Sequence, residues 1–228
     1  MADPQVDLER VQPALIEKLK SVPPASIGHL RSTGFIDTAI RPIYPLKTIL
    51  AGVAVTVKMA RGDTSLTRPA IEALNPGDIL VIDQGGDEQV ACWGEMTSLA
   101  AKQRGAVAVI IEGSVTDTVE IEDHGMPTFS RRISAVVGRR LNIKEGGVNI
   151  KIQCGGVVVN PGDVIVADNN GIVVISPGEA EAVYKAGRSL EDRAPYQRAW
   201  LQHGGTLAEI TGLDVEQLAV KLKEKGWH

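Results

Sequence analysis

Two acidic residues, Glu95 and Asp117, each stand where a predicted buried strand gives way to a polar turn. Glu95 ends the polar stretch after the predicted strand 78–83, and Asp117 follows the apolar run 106–111 through a glycine turn. Ligands of open α/β sheets collect outside the carboxyl ends of parallel strands, so both carboxylates are expected at one sheet edge. Mg²⁺ takes one or two carboxylates and keeps several waters. The pair therefore predicts a site for a hard divalent cation.

The segment 84–95, between the first of these strands and the next helix, is rich in glycine and polar residues. A glycine-rich loop that enters a helix exposes free N–H groups at the positive end of the helix dipole, which suits a phosphate or carboxylate. The amides of Glu95, Met96 and Thr97 would face such an anion. The segment is neither a P-loop nor a GxGxxG fingerprint. An ordinary loop, in which Gly94 and Glu95 only start the helix, explains the same residues.

Asp117 and the basic residues also have purely structural interpretations. Asp117 precedes Glu120 by three residues, which is the spacing of a capping box for a short helix through residue 123. The arginine pairs at 131–132 and 139–140 are either anion contacts or solvated surface.

Histidine and cysteine patterns argue against zinc and disulfide chemistry. The four histidines show neither HxH nor HExxH spacing, and His124, before a glycine, is expected in a turn. Cys92 and Cys154 lack CxxC spacing and stand among small apolar residues, which is typical of buried thiols.

Composition describes a folded chain of 228 residues that is neither a nucleic-acid coat nor a membrane protein. Its 43% hydrophobic content supports a sizeable core, and 4% aromatic residues make that core mostly aliphatic. The 24 Lys and Arg against 28 Asp and Glu give a net charge of −4, which argues against nucleic-acid binding. No apolar run approaches ~18 residues, and the first ten residues contain no signal-peptide core. A cytoplasmic enzyme or binding protein is expected.

A sequence of nine residues occurs twice, as Asn-Pro-Gly-Asp followed by four apolar residues and Asp, at 75–83 and 160–168. Each Pro-Gly predicts a tight turn, and each apolar run predicts a buried strand. A spacing of 85 residues is too long for a solenoid repeat, so we interpret the two copies as equivalent strands of one architecture.

The remaining pattern predicts β-α-β elements, then a strand-rich region, then a helical tail. The predicted helices are 11–20, 25–31, 66–74, 96–104, 179–188 and 215–225. The predicted strands are 49–59, 78–83, 106–111, 134–137, 148–152, 157–159, 164–167 and 172–175. The fold class is therefore α/β and layered, with one domain at 1–177 and a helical C-terminal extension at 178–228 that packs on the same or a neighbouring subunit.

Several motifs, taken in order, resemble the family of the regulator of ribonuclease E activity A, which includes 4-hydroxy-4-methyl-2-oxoglutarate and 4-carboxy-4-hydroxy-2-oxoadipate aldolases. The resemblance covers about residues 25–177. The motifs are Gly-Asp-Ile-Leu-Val-Ile-Asp at 77–83, Trp-Gly-Glu-Met at 93–96, Gly-Ala-Val-Ala-Val-Ile-Ile at 105–111, Gly-Ser-Val-Thr-Asp at 113–117, Met-Pro-Thr-Phe at 126–129 and the second repeat with its following strand at 160–175.

This resemblance implies a swivelling β/β/α fold, homotrimers or homohexamers with sites between subunits, and Mg²⁺ or Mn²⁺ as the cofactor of the aldolases. Asp117 matches the acid that supports the metal, and Glu95 matches a second acid after the glycine that precedes the helix. The amides that follow, as at Met96, would contact substrate oxygens, with Gly94 and Thr97 beside them. A further metal-site acid comes from the C-terminal region of a neighbouring subunit, and Glu191 is the expected match.

The sequence departs from the aldolase pattern at Thr116, where the aldolases have an arginine that binds the pyruvate moiety. Threonine cannot form the bidentate, charge-assisted bond that arginine gives a carboxylate. Either another cation replaces it, with Arg131, Arg132 or Arg61 as candidates and Arg131 preferred, or the substrate differs. The expected function is a metal-dependent aldolase or decarboxylase on a small oxo acid, and the alternative is a non-catalytic regulator. Phosphoryl transfer is disfavoured because no histidine stands in a suitable glycine-rich turn.

Overall fold

The computed structural model describes residues 10–227 as a large mixed sheet flanked by helices. The helices are α1 (Pro13–Leu19), α2 (Pro24–Gly28), α3 (Thr67–Glu72), α4 (Glu95–Gln103), α5 (Thr118–Asp123), α6 (Ala180–Gln202) and α7 (Val215–Glu224). The strands are β1 (Arg41–Pro42), β2 (Leu50–Met59), β3 (Asp78–Trp93), β4 (Ala108–Val115), β5 (Thr128–Ile133), β6 (Gly146–Val148), β7 (Ile152–Cys154), β8 (Val157–Val159), β9 (Val164–Asp168) and β10 (Gly171–Ile175).

The main sheet has the strand order β1-β5-β4-β3-β2-β9-β10, with β6 also paired to β2. Strands β2, β3, β4 and β5 are parallel to one another, and the pairs made by β1, β6, β9 and β10 are antiparallel. Strands β7 and β8 form a separate hairpin. The predicted α/β class with C-terminal helices is confirmed, and the parallel centre places the carboxyl ends of β3 and β4 side by side.

The two copies of the repeated sequence lie on either side of β2. Val53 of β2 pairs with Asp78 at the start of β3 and with Val164 at the start of β9. Each copy has the same turn, because a carboxylate oxygen of Asp78 accepts the Asn75 amide at 2.8 Å and one of Asp163 accepts the Asn160 amide at 2.8 Å. The two copies therefore share their turn and both pair with β2, but the strands are not equivalent in direction, because β3 is parallel to β2 and β9 is antiparallel to it.

Strand β4 is buried on both faces, as its unbroken apolar run predicts. Val109 and Ile111 belong to the core under α3 and α4, whereas Ala108 and Ile110 belong to the core on the opposite face. This double coverage explains why the sequence shows no polar alternation here. It also gives the turn after β4 a rigid support.

The C-terminal helices pack partly on the sheet domain and partly on each other. Gly187 of α6 lies against Val22, which follows α1 in the chain. A Cβ added to Gly187 would stand 2.3 Å from a methyl carbon of Val22. Farther along, Trp200 of α6 is buried with Leu218 and Leu222 of α7. Within this chain the extension therefore packs on its own subunit, while the division at residue 177 stays a prediction.

The loop predicted after residue 83 is wrong, because β3 continues to Trp93 as a bulged strand. Gly85 and Gly86 adopt positive φ angles of 65° and 68°, which glycine accommodates without a Cβ clash. The Asp83 carboxylate accepts the Gly85 amide at 2.8 Å, and the Asp87 carboxylate accepts the Gln89 amide at 3.0 Å. These side-chain bonds satisfy the amides that the bulges remove from the ladder.

Three further predictions differ from the observed elements. Residues 134–137 form only an isolated bridge, and the strand predicted at 148–152 is divided between β6 and β7. Helix α6 extends through Pro195 to residue 202 because its second half packs on α7. None of the helices among residues 10–227 has the length and apolar character that a bilayer crossing requires.

Candidate active-site cleft

A cleft of about 690 Å³ opens where β3 and β4 end. Its walls come from α3, the end of β3, α4 along its length with the residue after it, the turn at 116–117 and the segment 137–140. The predicted residues Gly94, Glu95, Met96, Thr97, Thr116 and Asp117 all line it. The structure therefore brings together most of the residues that the sequence singles out.

The carboxylate of Asp117 rests directly against Gly94. A Cβ on Gly94 would stand 2.5 Å from Asp117 Oδ2, so only the bare Cα of glycine admits the carboxylate. The same oxygen accepts the Glu95 amide at 3.0 Å, and Oδ1 accepts the Thr116 hydroxyl at 3.0 Å. Asp117 itself has a left-handed backbone with φ of 56°, an uncommon conformation for a residue with a side chain. Backbone and neighbours together hold this carboxylate at the mouth of the cleft.

The capping-box interpretation of Asp117 is wrong. An N-cap residue that bonds its own helix has an extended backbone, whereas Asp117 is left-handed and makes no side-chain cap to α5. Its carboxylate instead bonds the first amide of α4. Because that Glu95 amide is already occupied, it is not available to a ligand. The amides of Met96 and Thr97 lie in the first turn of α4 and have no intrahelical acceptor.

Glu95 has a neighbour that the sequence did not indicate. Its Oε1 lies 2.9 Å from Nε2 of His124, which ends α5. Both side chains are partly exposed. The sequence placed His124 in a turn, and the only signal for this contact is that α4 and α5 follow adjacent parallel strands and so pack together.

Thr97 holds the start of α4. Its hydroxyl donates to the Gly94 carbonyl at 2.8 Å and accepts the Gly94 amide at 3.0 Å. The side chain is thus committed to the helix end, while its amide stays in the open first turn.

Arg131 lies outside the cleft. Its guanidinium donates to both carboxylate oxygens of Glu112 at 2.6 and 3.0 Å and to Asp37 at 2.9 Å. In a strand, residues two apart share a face, and Phe129 of the same strand lies in the core on the face opposite α3 and α4. Arg131 therefore points away from Asp117, and the structure does not place it as the replacement for the missing arginine.

Other suggested residues are also placed away from the cleft. Arg132 pairs with Glu88 at 3.1 Å, and Arg61 donates to the Gly85 carbonyl at 3.2 Å. Glu191 lies on α6, where it accepts the Ser26 hydroxyl at 2.5 Å. A role for Glu191 at a metal would need a neighbouring subunit, as the resemblance implies, and stays a prediction.

Three arginines do line the cleft, namely Arg68, Arg104 and Arg140. The sequence grouped Arg140 with residue 139 as surface or anion contact and did not single out the other two. Their position in the cleft depends on how α3, α4 and the segment after β5 pack together. The spacing of residues in the sequence does not indicate this packing.

Cys92 lines the cleft but is not suited to act as a nucleophile. Burial raises the pKa of its thiol to about 12, so the thiol stays protonated at neutral pH. Both cysteines are free and buried, as the sequence predicts.

The donor set fits a hydrated hard cation rather than an enclosed metal cage. Asp117 and Glu95 are oxygen donors at one mouth, and the Gly94 cradle fixes the first of them. Within residues 10–227, no three His, Cys, Asp or Glu side chains are grouped closely enough to hold a metal. A cation here would take its remaining ligands from water, a substrate or a second subunit, which is common for Mg²⁺.

Comparison with known proteins gives a family match over most of the chain. Residues 24–174 match the RraA-like family model, described as Aldolase/RraA. A protein of Halalkalibacterium halodurans, named as a candidate 4-hydroxy-4-methyl-2-oxoglutarate aldolase, is 31% identical over 186 residues, which cover 81% of this chain and 87% of that protein.

Two solved structures share the fold. An uncharacterised protein from Pseudomonas syringae pv. tomato superposes with a TM-score of 0.76 at 21% identity, covering 88% of this chain and 98% of the other. An unusual member of the RNase ES inhibitor RraA protein family from Streptomyces coelicolor superposes with a TM-score of 0.72 at 22% identity, covering 83% and 98%. At these identities the similarity concerns the fold alone.

Proposed function

The chain belongs to the RraA-like family, and we propose that it is a divalent-metal-dependent carbon–carbon lyase, an aldolase or decarboxylase, acting on a small oxo acid. The observation that carries the proposal is the Asp117 carboxylate, seated on Gly94 and bonded to the Glu95 amide and the Thr116 hydroxyl. A left-handed aspartate costs backbone energy, and such conformations cluster at functional sites.

Asp117 and Glu95 are the residues that would hold Mg²⁺ or Mn²⁺. When bound, such a cation supplies Lewis-acid stabilisation of an enolate. The Thr116 hydroxyl keeps Asp117 Oδ1 oriented, and His124 orients Glu95 through its 2.9 Å contact. The Met96 and Thr97 amides offer donors to a substrate oxygen at the positive end of α4. Trp93 and Ile71 form an apolar wall that limits water around the reacting group.

A second candidate function is that of a non-catalytic regulator, and Thr116 favours it. The expected arginine would contact charge that develops on the enolate, and loss of one such contact commonly costs about 10²–10³ in rate. A relative by fold belongs to a family of ribonuclease inhibitors. Under this alternative, the cleft acidic residues would not support turnover.

The deciding assay measures pyruvate released from 4-hydroxy-4-methyl-2-oxoglutarate and from oxaloacetate, with Mg²⁺, with Mn²⁺ and with a chelator. We expect release with either cation and none with the chelator, after subtraction of the metal-only reaction. Protein that binds Mg²⁺ but releases no pyruvate from either compound would reject the lyase and favour the regulator.

Two conservative variants test the residues assigned to the cation. Asp117→Asn keeps the left-handed conformation, which asparagine tolerates, and Glu95→Gln keeps the side-chain volume. We expect each to weaken Mg²⁺ binding at least tenfold in calorimetric titration, while the free energy of unfolding changes by at most about 1 kcal/mol. Unchanged Mg²⁺ affinity in both variants would return these residues to a structural role.

A further inference from the structure

The cleft contains positive charge that the mechanism above does not use. Of its three arginines, Arg104 donates to the Glu72 carbonyl and is thereby tied to α3. The guanidinium groups of Arg68 and Arg140 make no hydrogen bond or ion pair with any residue in the described range 10–227. Their guanidinium groups are therefore available to a ligand.

Arg140 differs from Arg68 in how its backbone is held. The buried carboxylate of Asp63, 4% exposed, accepts the Leu141 amide at 3.0 Å and the Ile143 amide at 2.8 Å. The Ser65 hydroxyl, itself bonded to Asp63, accepts the Asn142 amide at 2.8 Å. Three consecutive amides after Arg140 thus converge on one aspartate and its partner serine.

The residues before Arg140 are fixed as well. The Arg139 amide donates to the Gly62 carbonyl at 2.9 Å. The Arg139 carbonyl accepts the Thr64 amide, also at 2.9 Å. The Gly138 amide donates to the Ala91 carbonyl at 2.9 Å. Because the carbonyl of Trp93, two residues further along β3, accepts the Thr116 amide, the same strand end anchors both the Arg140 segment and the turn at Thr116.

We infer that Arg140 binds a carboxylate of the substrate in this cleft and that Asp63 is its positioning residue. Arg140 would replace the arginine that the aldolases have at the position of Thr116. A guanidinium binds a carboxylate through two parallel N–H donors, and it does so with specificity only when its backbone is fixed. Free, unpaired and mounted on a clamped segment, Arg140 meets that requirement. The inference deepens the proposed function and rests on it for the identity of the substrate class.

The test uses 2-oxoglutarate as the probe, because it carries two carboxylates and a keto group but lacks the 4-hydroxyl needed for aldol cleavage. Its binding to the Mg²⁺-loaded protein is measured by calorimetry for wild type, Arg140→Gln and the matched control Arg139→Gln. We expect Arg140→Gln to raise the Kd roughly 10- to 100-fold and Arg139→Gln to leave it unchanged, with Mg²⁺ affinity equal in all three. Wild-type affinity in Arg140→Gln would overturn the inference. A fourth protein, Arg68→Gln, is measured in the same way, and a loss of affinity in it without a loss in Arg140→Gln would also overturn the inference.

Asp63 is tested through its coupling to Arg140. Asp63→Asn retains one acceptor oxygen, and we expect it to raise the Kd of 2-oxoglutarate several-fold at unchanged Mg²⁺ affinity. The double variant with Arg140→Gln should bind no more weakly than Arg140→Gln alone, because both changes remove one contact. Fully additive losses would show that Asp63 affects 2-oxoglutarate binding independently of Arg140 and would overturn its positioning role.

The outcomes separate this inference from the proposed function. If the protein binds 2-oxoglutarate through Arg140 but never releases pyruvate, the carboxylate site is supported and the lyase function is rejected. If the Arg140→Gln variant releases pyruvate as well as wild type, the lyase function is supported and the role of Arg140 is rejected.

Discussion

A carboxylate oxygen of Asp117 lies so near the Cα of Gly94 that a methyl group added there would stand 2.5 Å from it. Gly94 has φ of −161°, an extended backbone that any residue adopts, so the requirement for glycine is steric. We expect Gly94→Ala to displace Asp117, destabilise the fold by about 1–3 kcal/mol and weaken Mg²⁺ binding at least tenfold. Gly178→Ala is the control, because an added Cβ there meets nothing within 4 Å. Thermal unfolding and calorimetry measure both effects, and intact Mg²⁺ binding in Gly94→Ala would contradict the cradle.

Thr116 is the residue at which family pattern and chain disagree. We expect Thr116→Arg to raise pyruvate release roughly 10- to 100-fold, since a guanidinium beside developing enolate charge contributes about 1.5–3 kcal/mol. Thr116→Val is the control, because it removes the hydroxyl bonded to Asp117 without adding charge. Steady-state assay with oxaloacetate measures the change. A Thr116→Arg protein that folds and binds Mg²⁺ but gains no activity would argue against an aldolase-type mechanism.

At the scale of elements, the sequence predicted the strands that are simplest in pattern and missed those that side chains reshape. The apolar runs of β4 and β9 allow one interpretation each. The Gly-Gly pair at 85–86 indicates a turn or a bulge equally well, and only the carboxylates of Asp83 and Asp87 decide for the bulge. The cleft acids were predictable because parallel strand ends meet. The cleft arginines were not, since their faces depend on tertiary packing.

The segment that follows β5 depends on one ionised carboxylate. Burial raises the pKa of Asp63, but hydrogen bonds from Ser65, Leu141 and Ile143 outweigh it and lower the pKa to about 2. A group whose pKa is lower in the folded state stabilises the fold above its unfolded value of 3.8, and that contribution is lost as pH falls towards 2. We therefore expect Asp63→Asn to be less stable than wild type in urea unfolding at pH 6. The difference in the free energy of unfolding should become smaller below about pH 4. A difference in the free energy of unfolding that stays constant down to pH 3 would contradict the lowered pKa of Asp63.

At the scale of the whole molecule, a row of apolar side chains stands exposed on the same segment that carries Arg140. Val136 is 60% exposed, Val137 59% and Leu141 52%, and Ile133 just before them is 64% exposed. Exposed apolar side chains grouped on one segment are typical of an interaction site, and because Val137 also lines the cleft, the segment suits a site shared between subunits. We expect a homotrimer or a dimer of trimers in which this segment is covered.

Light scattering should therefore give at least three times the 24.3 kDa chain mass at micromolar concentration. Val136→Asp should dissociate the assembly, because an aspartate buried in an apolar contact loses its hydration without gaining a partner. Val158→Asp is the matched control, since Val158 on β8 is 52% exposed but lies in the separate hairpin. If a neighbouring subunit supplies an acid such as Glu191, the dissociated Val136→Asp protein should also bind Mg²⁺ more weakly, although Glu95 and Asp117 are unchanged. A wild-type monomer would defeat the prediction, and a dissociated variant with full Mg²⁺ affinity would show that each chain holds its cation alone.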